Sequence, residues 1–393
     1  MHDYDLIVIG GGAAGIFAAV VAAQQGLSVC VLEKRATLLS KVKVSGGGRC
    51  NVTHACFDPK AFAAHYPRGS KELLGPLHRF GSQQTIDWFA QHGVELKSEE
   101  DGRMFPITNQ SETIIQCLLK QASVHKVEIR LPVHILQIEP GFRVHLENKV
   151  VSAPSLLLAT GSASEGYAWA QQFGHTLASP VPSLFTLNCP SSRLLSLSGI
   201  CVQDARLSVE GHMQRGALLL THFGFSGPAA LKLSAWAARS LHDKQYHASI
   251  SVDWLPQETI AQTTQKLLDL KQQHPHKFLS NLNWTDLSKR LWDALIDTSQ
   301  YLQQLPDRQL IRLSESLHRD IFLMEGKTTH KEEFVTCGGV KCEEIDFRTM
   351  QSFRMPGLYF AGEILNIDGV TGGFNFQNAW TTAWIAASSI KKD

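Results

Sequence analysis

Apolar residues follow two rhythms along the first part of this chain. Asp5 to Ile9 reads DLIVI, a β-branched run without polar alternation, as expected of a strand covered on both faces. Gly10 to Gly15 follows at once, the Ala-rich run Ile16 to Gln25 closes at Gly26, and Leu27 to Leu32 forms a second strand ending in Glu33. Strand, glycine turn, helix and strand make a βαβ unit. Strand patterns return at Val127 to Leu131, Val133 to Ile138 and Arg143 to Leu146, and Val150 to Ala159 runs into Thr160-Gly161. Between Cys189 and Asp253 short strands (201–209, 216–221, 246–252) surround a helix over 228–239. Helical spacing dominates from 254 to 325, where Leu310, Leu313, Leu317 and Ile321 share one helix face. Near the end, Gly357 to Glu363 reads as a short strand ending in Gly-acid and Asn378 to Ile390 as a helix.

These patterns predict an α/β protein in pieces. Residues 1–188 form the first part of a nucleotide-binding domain, 189–253 a β-rich insert and 254–325 a helical unit, for which a cap and a structural appendage are the two alternatives. Residues 326–345 are expected to be the return strand of the insert, and 346–393 to complete the first domain.

Composition narrows the partners. The 393 residues carry a net charge of +1 with no clustered basic stripe, which argues against nucleic acid. No apolar run is long enough for a membrane span, and the polar, acidic start lacks a signal-peptide pattern, so a cytoplasmic location is expected. The eight cysteines are scattered without CxxC, and no Cys/His cluster has zinc spacing, so free thiols and no metal are expected.

The glycine turn matches G-x-G-x-x-G. Gly10 allows a tight turn, Gly12 lets backbone approach a pyrophosphate, and Gly15 lets helix and strand pack closely, with Ala13 and Ala14 between them. The helix start offers free N–H groups to phosphates. Glu33, with Lys34 after it, can accept hydrogen bonds from an adenosine ribose. The strand entering Ala159-Thr160-Gly161 brings a second close backbone approach, and Gly362-Glu363 a third. Gly372 and Gly373 precede Phe374 and Asn375 at a helix start, which would aim N–H groups at the negative edge of a reduced flavin. The loop Ser45-Gly46-Gly47-Gly48-Arg49-Cys50-Asn51 falls where such a dinucleotide would continue toward its ring.

The segments SGGGRCNVT (45–53), GRMFP (102–106), THFGFSGPAALKLS (221–234), VTCGGV (335–340) and GLYFAGEILNIDGVTGGFNFQNAW (357–380), in that order, resemble the BaiN/YhiN-type flavoproteins. That family is described as aminoacetone oxidase family FAD-binding enzymes or NAD(P)/FAD-dependent oxidoreductases. The resemblance spans nearly the whole chain. It implies a glutathione-reductase-like FAD-binding Rossmann domain interrupted by a β-rich insert and a small helical unit. It also implies tight, non-covalent FAD on Gly10, Gly12, Gly15, Glu33, Arg49, Asn51, Thr160, Gly161, Glu363 and Gly373, with a backbone contact to adenine at Val133. The chain departs from the family pattern at Cys337, Asn366, Phe374 and Phe376.

The function that follows is FAD-dependent hydride transfer between a small organic substrate and flavin N5, linked to NAD(P)H as a transient donor. An amine oxidase using oxygen is the alternative, and a non-catalytic flavin-binding scaffold is the alternative of another class. A disulfide reductase fits poorly: Cys50 and Cys56 are spaced by five residues, and Gly338-Gly339 sits between Cys337 and Cys342. Cys50 and His222 are the candidate catalytic side chains; packing is the alternative for Cys50 and a core position for His222. Ser226 in GFSGP reads as a turn residue, because Pro228 stands where a nucleophile elbow needs glycine.

Overall fold

Leu6–Ile9 (β1) is buried along its whole length, which is possible because layers cover both faces of its sheet. In the computed structural model, residues 2–282, 284–296, 300–328 and 335–392 are described. The chain divides into two units, Met1–Val181 with Lys331–Asp393, and Pro182–His330.

In the first unit β1 leads through the glycine turn into Ala13–Gln24 (α1) and then Val29–Leu32 (β2). Ser40–Gly48 (α2) carries the glycine triplet, and Ser45, Gly46 and Gly47 leave helical geometry, so the helix breaks there. Glu128–Arg130 (β3), Ser155–Leu158 (β4) and Leu358–Phe360 (β5) complete a parallel core ordered β3-β2-β1-β4-β5, with Ile345–Asp346 and Gln351–Ser352 added antiparallel beyond β5. The register sets Ile9 between Leu32 and Leu158. Strand order reverses at β1, so the crevice beyond the carboxyl ends of β1 and β4 is where this architecture takes a ligand. Phe374–Ser389 (α3) packs on α1; Phe17 of α1 lies 5.3 Å from Trp380 of α3, ring to ring. The helix begins at Phe374, not Asn378, because Gly373 in the left-handed region turns the chain directly into it.

The second unit is built on a seven-stranded sheet that begins at Asp320–Glu325 and ends at Lys327–Thr328. Both ends are thus pieces of one strand interrupted at Gly326. The Gly326 N–H donates to the Tyr246 carbonyl at 3.0 Å, and its own carbonyl accepts from Asn188 N–H at 3.1 Å. One residue therefore ties the two margins of the sheet together. The helices Ile260–Gln273 and Asp307–His318 share a single hydrophobic core with the sheet, in which Leu267, Leu310 and Leu317 lie in the same cluster as Phe225 and Phe322.

Three boundaries differ from the sequence reading. The strand Thr186–Asn188 lies in the second unit, which starts at Pro182. Ile321 is not on the helix with Leu310 and Leu317; it sits on Asp320–Glu325, a strand of alternating burial, and is 55% exposed. Val335–Val340, expected to return into the insert, pairs with Leu177–Ser183 instead. Among the described residues, no helix is long and apolar enough to cross a membrane.

Candidate functional site

The glycines at the end of β1 divide the labour. Gly10 has φ +110, and a Cβ there would lie 2.4 Å from the Ala159 carbonyl oxygen; a Cβ on Gly15 would lie 1.9 Å from the Gly10 oxygen. These two glycines let strands and helix approach. A Cβ on Gly12 would meet nothing within 4 Å, so Gly12 faces open space. No side chain caps the start of α1, which leaves its first N–H groups for an anion.

Glu33 ends β2 with its carboxylate already aimed. Its Oε2 accepts the Gly11 N–H at 2.6 Å and its Oε1 the Arg35 N–H at 2.8 Å. Lys34 turns outward to an exposed pair with Glu165. The Val133 N–H donates to the Glu33 carbonyl at 2.8 Å, so its carbonyl is the group that remains for an adenine. Val133 precedes the strand Ile135–Glu139 instead of lying in it. On the other side of β1, Ala159 N–H is bonded to Ile9 O at 2.9 Å, and Thr160 holds a buried hydroxyl oxygen with no hydrogen-bond partner. A Cβ on Gly166 would lie 1.8 Å from that oxygen, so the hydroxyl is packed against the helix Ser164–Gln172. Gly161, at φ +60, brings the chain past the Glu363 carboxylate, 3.5 Å from where a Cβ would stand.

The third approach comes from the C-terminal segment. Gly362 N–H donates to Thr382 Oγ1 at 2.9 Å. Glu363 accepts the Thr336 N–H at 3.0 Å and pairs with Lys41. Gly372 and Gly373 both have positive φ, and a Cβ on Gly373 would lie 2.4 Å from the Thr53 oxygen. With its amide oriented to suit its neighbours, Asn51 donates to the Thr53 carbonyl and accepts the Gly373 N–H, each at 3.0 Å. Asn51 thus stitches the triplet segment to the start of α3. The Asn375 side chain bonds both the N–H and the carbonyl of Gly369 at 2.9 Å, holding the turn. Phe374 is buried and stacks on His65 at 4.3 Å between centroids.

Within the triplet, a Cβ on Gly47 or Gly48 would meet nothing within 4 Å, and both have positive φ, whereas one on Gly46 would lie 2.9 Å from the Phe105 ring. Ser45 Oγ donates to Val42 O at 2.9 Å. Arg49 pairs with Glu99 at 2.5 Å and lies 4.0 Å over the Phe105 ring. Glu99 also holds Arg103 at 2.9 Å, so a carboxylate flanked by two guanidiniums fixes Arg49.

Cys50 has φ +60, is fully buried, and its thiol is pushed up to about 12 by that burial. It stands as a packed thiol and not as an exposed thiolate. His222 belongs to the second unit and is exposed, not in the core. Two residues of the first unit were missed from sequence. Arg68 makes a two-point pair with Asp368, which is completely buried at the opening of the glycine turn. Tyr66 donates its hydroxyl to the Phe374 carbonyl at 2.6 Å. Neither sits near the turn in sequence, and nothing in composition marks them.

The open faces of Gly12, Gly47 and Gly48 and the fixed Glu33 carboxylate fit FAD, for which Gly10 to Gly15 and Glu33 would hold the nucleotide half and Gly372–Gly373 would close the other end. A crevice of this kind on a glutathione-reductase-like sheet defines an FAD-dependent oxidoreductase. Residues 4–389 match the family described as HI0933-like protein Rossmann domain, and the chain belongs to that family of flavoenzymes. It is similar to a ribosomal RNA dihydrouridine synthase of Escherichia coli K12, with 32% identity over 99% of this chain and 98% of the relative. A 3-dehydro-bile acid delta(4,6)-reductase of Clostridium scindens is 26% identical over 96% of this chain and 97% of its own. Among solved structures, a 3-ketosteroid-Δ4-(5α)-dehydrogenase of Rhodococcus jostii RHA1 has the same fold, with a TM-score of 0.53 at 14% identity and 98% of each chain covered.

Proposed function

We propose that this enzyme adds two hydrogens across a carbon–carbon double bond conjugated to a carbonyl, with a uracil ring in ribosomal RNA as substrate and NAD(P)H as electron donor. One observation carries the choice of substrate: the end-to-end identity of 32% with the Escherichia coli dihydrouridine synthase. The Clostridium scindens relative is named for a bile-acid reduction. Uracil and an unsaturated 3-oxo steroid share one electrophile, an alkene carbon β to a carbonyl, so the two names describe one kind of reaction on different frames.

FAD, when bound, supplies the two-electron carrier between NAD(P)H and that carbon. The chain's part is to hold and orient. Glu33 and the start of α1 grip the nucleotide half. The start of α3, joined to the triplet segment through Asn51, sets the ring end. Cys50, buried and pushed up to about 12, argues against a thiol relay, which favours direct hydride exchange with the substrate. A single dinucleotide turn implies that NAD(P)H visits and leaves.

The neutral charge balance pointed away from nucleic acid. With a net charge of +1, RNA recognition has to rest on local contacts to an unstacked base more than on a general field. The test uses purified holoenzyme under anaerobic conditions with NADH or NADPH and unmodified ribosomal RNA. The expected result is uridine carrying two additional hydrogens by mass spectrometry of nucleosides. Reduction of a steroid dienone without any change in RNA would move the substrate to the second frame. Fast oxygen consumption with an amine, and no alkene reduction, would replace the reading by the amine oxidase.

A further inference from the structure

The strand Asp320–Glu325 of the second unit has no part in the proposed reaction. Along it burial alternates: Asp320, Phe322 and Met324 are buried, whereas Ile321 and Leu323 are 55% and 54% exposed. Arg319, just before the strand, and Glu325, at its end, are exposed too. On one flank the strand pairs antiparallel with His247–Asp253, where Ser251 faces Ile321 and Ser249 faces Leu323. That neighbour therefore offers hydroxyls in place of apolar cover. The other flank is open. The Gly326 N–H bonds the Tyr246 carbonyl, and bonds alternate along an antiparallel ladder. Even-numbered residues accordingly turn their backbone groups to His247–Asp253, while Ile321 and Leu323 turn theirs away from it. Among the described residues no strand pairs with them on that side, and none forms an ion pair with Arg319 or Glu325. A strand left open in this way is normally blunted by a lysine or a proline, and Asp320–Glu325 contains neither.

We propose that two copies of this chain join here, strand to strand and antiparallel, about a twofold axis at Phe322. Twofold pairing permits several registers, and the outward side chains choose among them. Centred on Phe322, Ile321 lies opposite Leu323 of the partner subunit and Arg319 opposite Glu325 of the partner subunit, and symmetry repeats each contact. Centred on Ile321, the join would set Arg319 against a leucine. Centred on Leu323, it would set Ile321 against a carboxylate. Only the first register matches apolar with apolar and cation with anion. It also lets the N–H and carbonyl of Ile321 and Leu323 exchange bonds with their counterparts, which closes the open flank of both copies. The Arg319 N–H is not required, since Glu315 O already holds it at 2.9 Å, and its guanidinium alone reaches across.

The experiment is sedimentation velocity of the full-chain holoenzyme over a range of protein concentrations. A two-strand join is small, so a weak, concentration-dependent dimer is expected, weaker still at high salt. Arg319→Glu sets carboxylate against carboxylate at both ends of the join and should weaken the dimer by about ten- to a hundredfold. Glu325→Arg should do the same with guanidiniums. Mixed in equal amounts, the two variants should associate again, because in the mixed pair every charge meets its opposite. Both should carry as much flavin as wild type, since neither residue belongs to the first unit. A wild type that stays monomeric at every concentration overturns the proposal and leaves the strand to a different protein. A dimer that survives both reversals overturns it by placing the join on another surface. Variants that melt like wild type, lose the dimer and regain nothing on mixing overturn the register.

Discussion

Arg68 donates from Nε to Asp368 Oδ1 at 2.6 Å, and a second contact makes the pair two-pronged around a carboxylate with no exposure. Asp368 opens the turn that delivers Gly372 and Gly373 to the start of α3, so this ion pair anchors the C-terminal wall of the cofactor crevice. Removing the cation from a buried pair costs about 3–5 kcal/mol, because the carboxylate stays buried. Arg68→Ala is expected to lower the urea midpoint accordingly and to purify with less bound flavin. Arg68→Lys should recover part of the stability, since one ammonium replaces a fork of donors. An unchanged midpoint in Arg68→Ala would remove the pair from its anchoring role.

Gly12 and Gly15 should fail in different ways. The space in front of Gly12 is open, so Gly12→Val is expected to fold with nearly wild-type stability and to emerge colourless. A Cβ on Gly15 would lie 1.9 Å from Gly10 O, so Gly15→Ala must push β1 and α1 apart and destabilise the protein even without cofactor. Thermal melting of the two apoproteins beside absorbance at flavin wavelengths distinguishes them. Flavin retained by Gly12→Val would contradict the pyrophosphate path.

Acid should weaken the first unit through His175. Its Nδ1 lies 3.0 Å from Glu344 Oε2 and its Nε2 2.7 Å from Ser352 Oγ. Burial holds His175 below its usual 6.5, against the pull of Glu344. Burial alone would raise Glu344, but Arg354 and Thr176 outweigh it and take the carboxyl from 4.5 to about 2. In both cases the unfolded chain takes up a proton first as pH falls. Stability from these groups is therefore full above the unfolded values, begins to fall below 6.5 through His175, and falls again between 4.5 and about 2 through Glu344. Urea midpoints should decline over that range, and His175→Gln should flatten the upper part of the slope.

Cys50 should be chemically silent in the native protein. Its thiol is buried and pushed up to about 12, so iodoacetamide at mildly alkaline pH is expected to label it only after unfolding. Cys50→Ala should reduce and reoxidise its flavin at wild-type rates. Rapid native labelling at this residue would return it to consideration as a reacting group.

The readable part of this molecule is its local part. β1, the glycine turn, α1 and Glu33 are contiguous, and each step has its own cue, from the buried strand to the terminal acid. The insert's strand Cys201–Val209 falls where alternation put it. Ile321 was misplaced because Leu317 and Ile321 keep a helical interval across the end of a helix that stops at His318. The strand after it alternates in burial, and four residues are too few to separate the two periods. The partners of Arg49, Glu99 and Phe105, lie about 50 residues further along the chain and left no cue beside the triplet. Arg68 with Asp368 and Tyr66 with Phe374 join segments about 300 residues apart, and such pairs leave no periodic trace.

Gly326 gives the second unit a vulnerability that no hairpin loop shares. Lengthening a hairpin adds slack to a surface bend and leaves every ladder intact. Extra residues at Gly326 would part its bonds to Tyr246 and Asn188 together and unzip the sheet along its seam. Two raw margins would then face solvent, the state in which β-structure recruits strands from neighbouring molecules. Tolerance to insertion in this half of the chain is thus governed by one glycine.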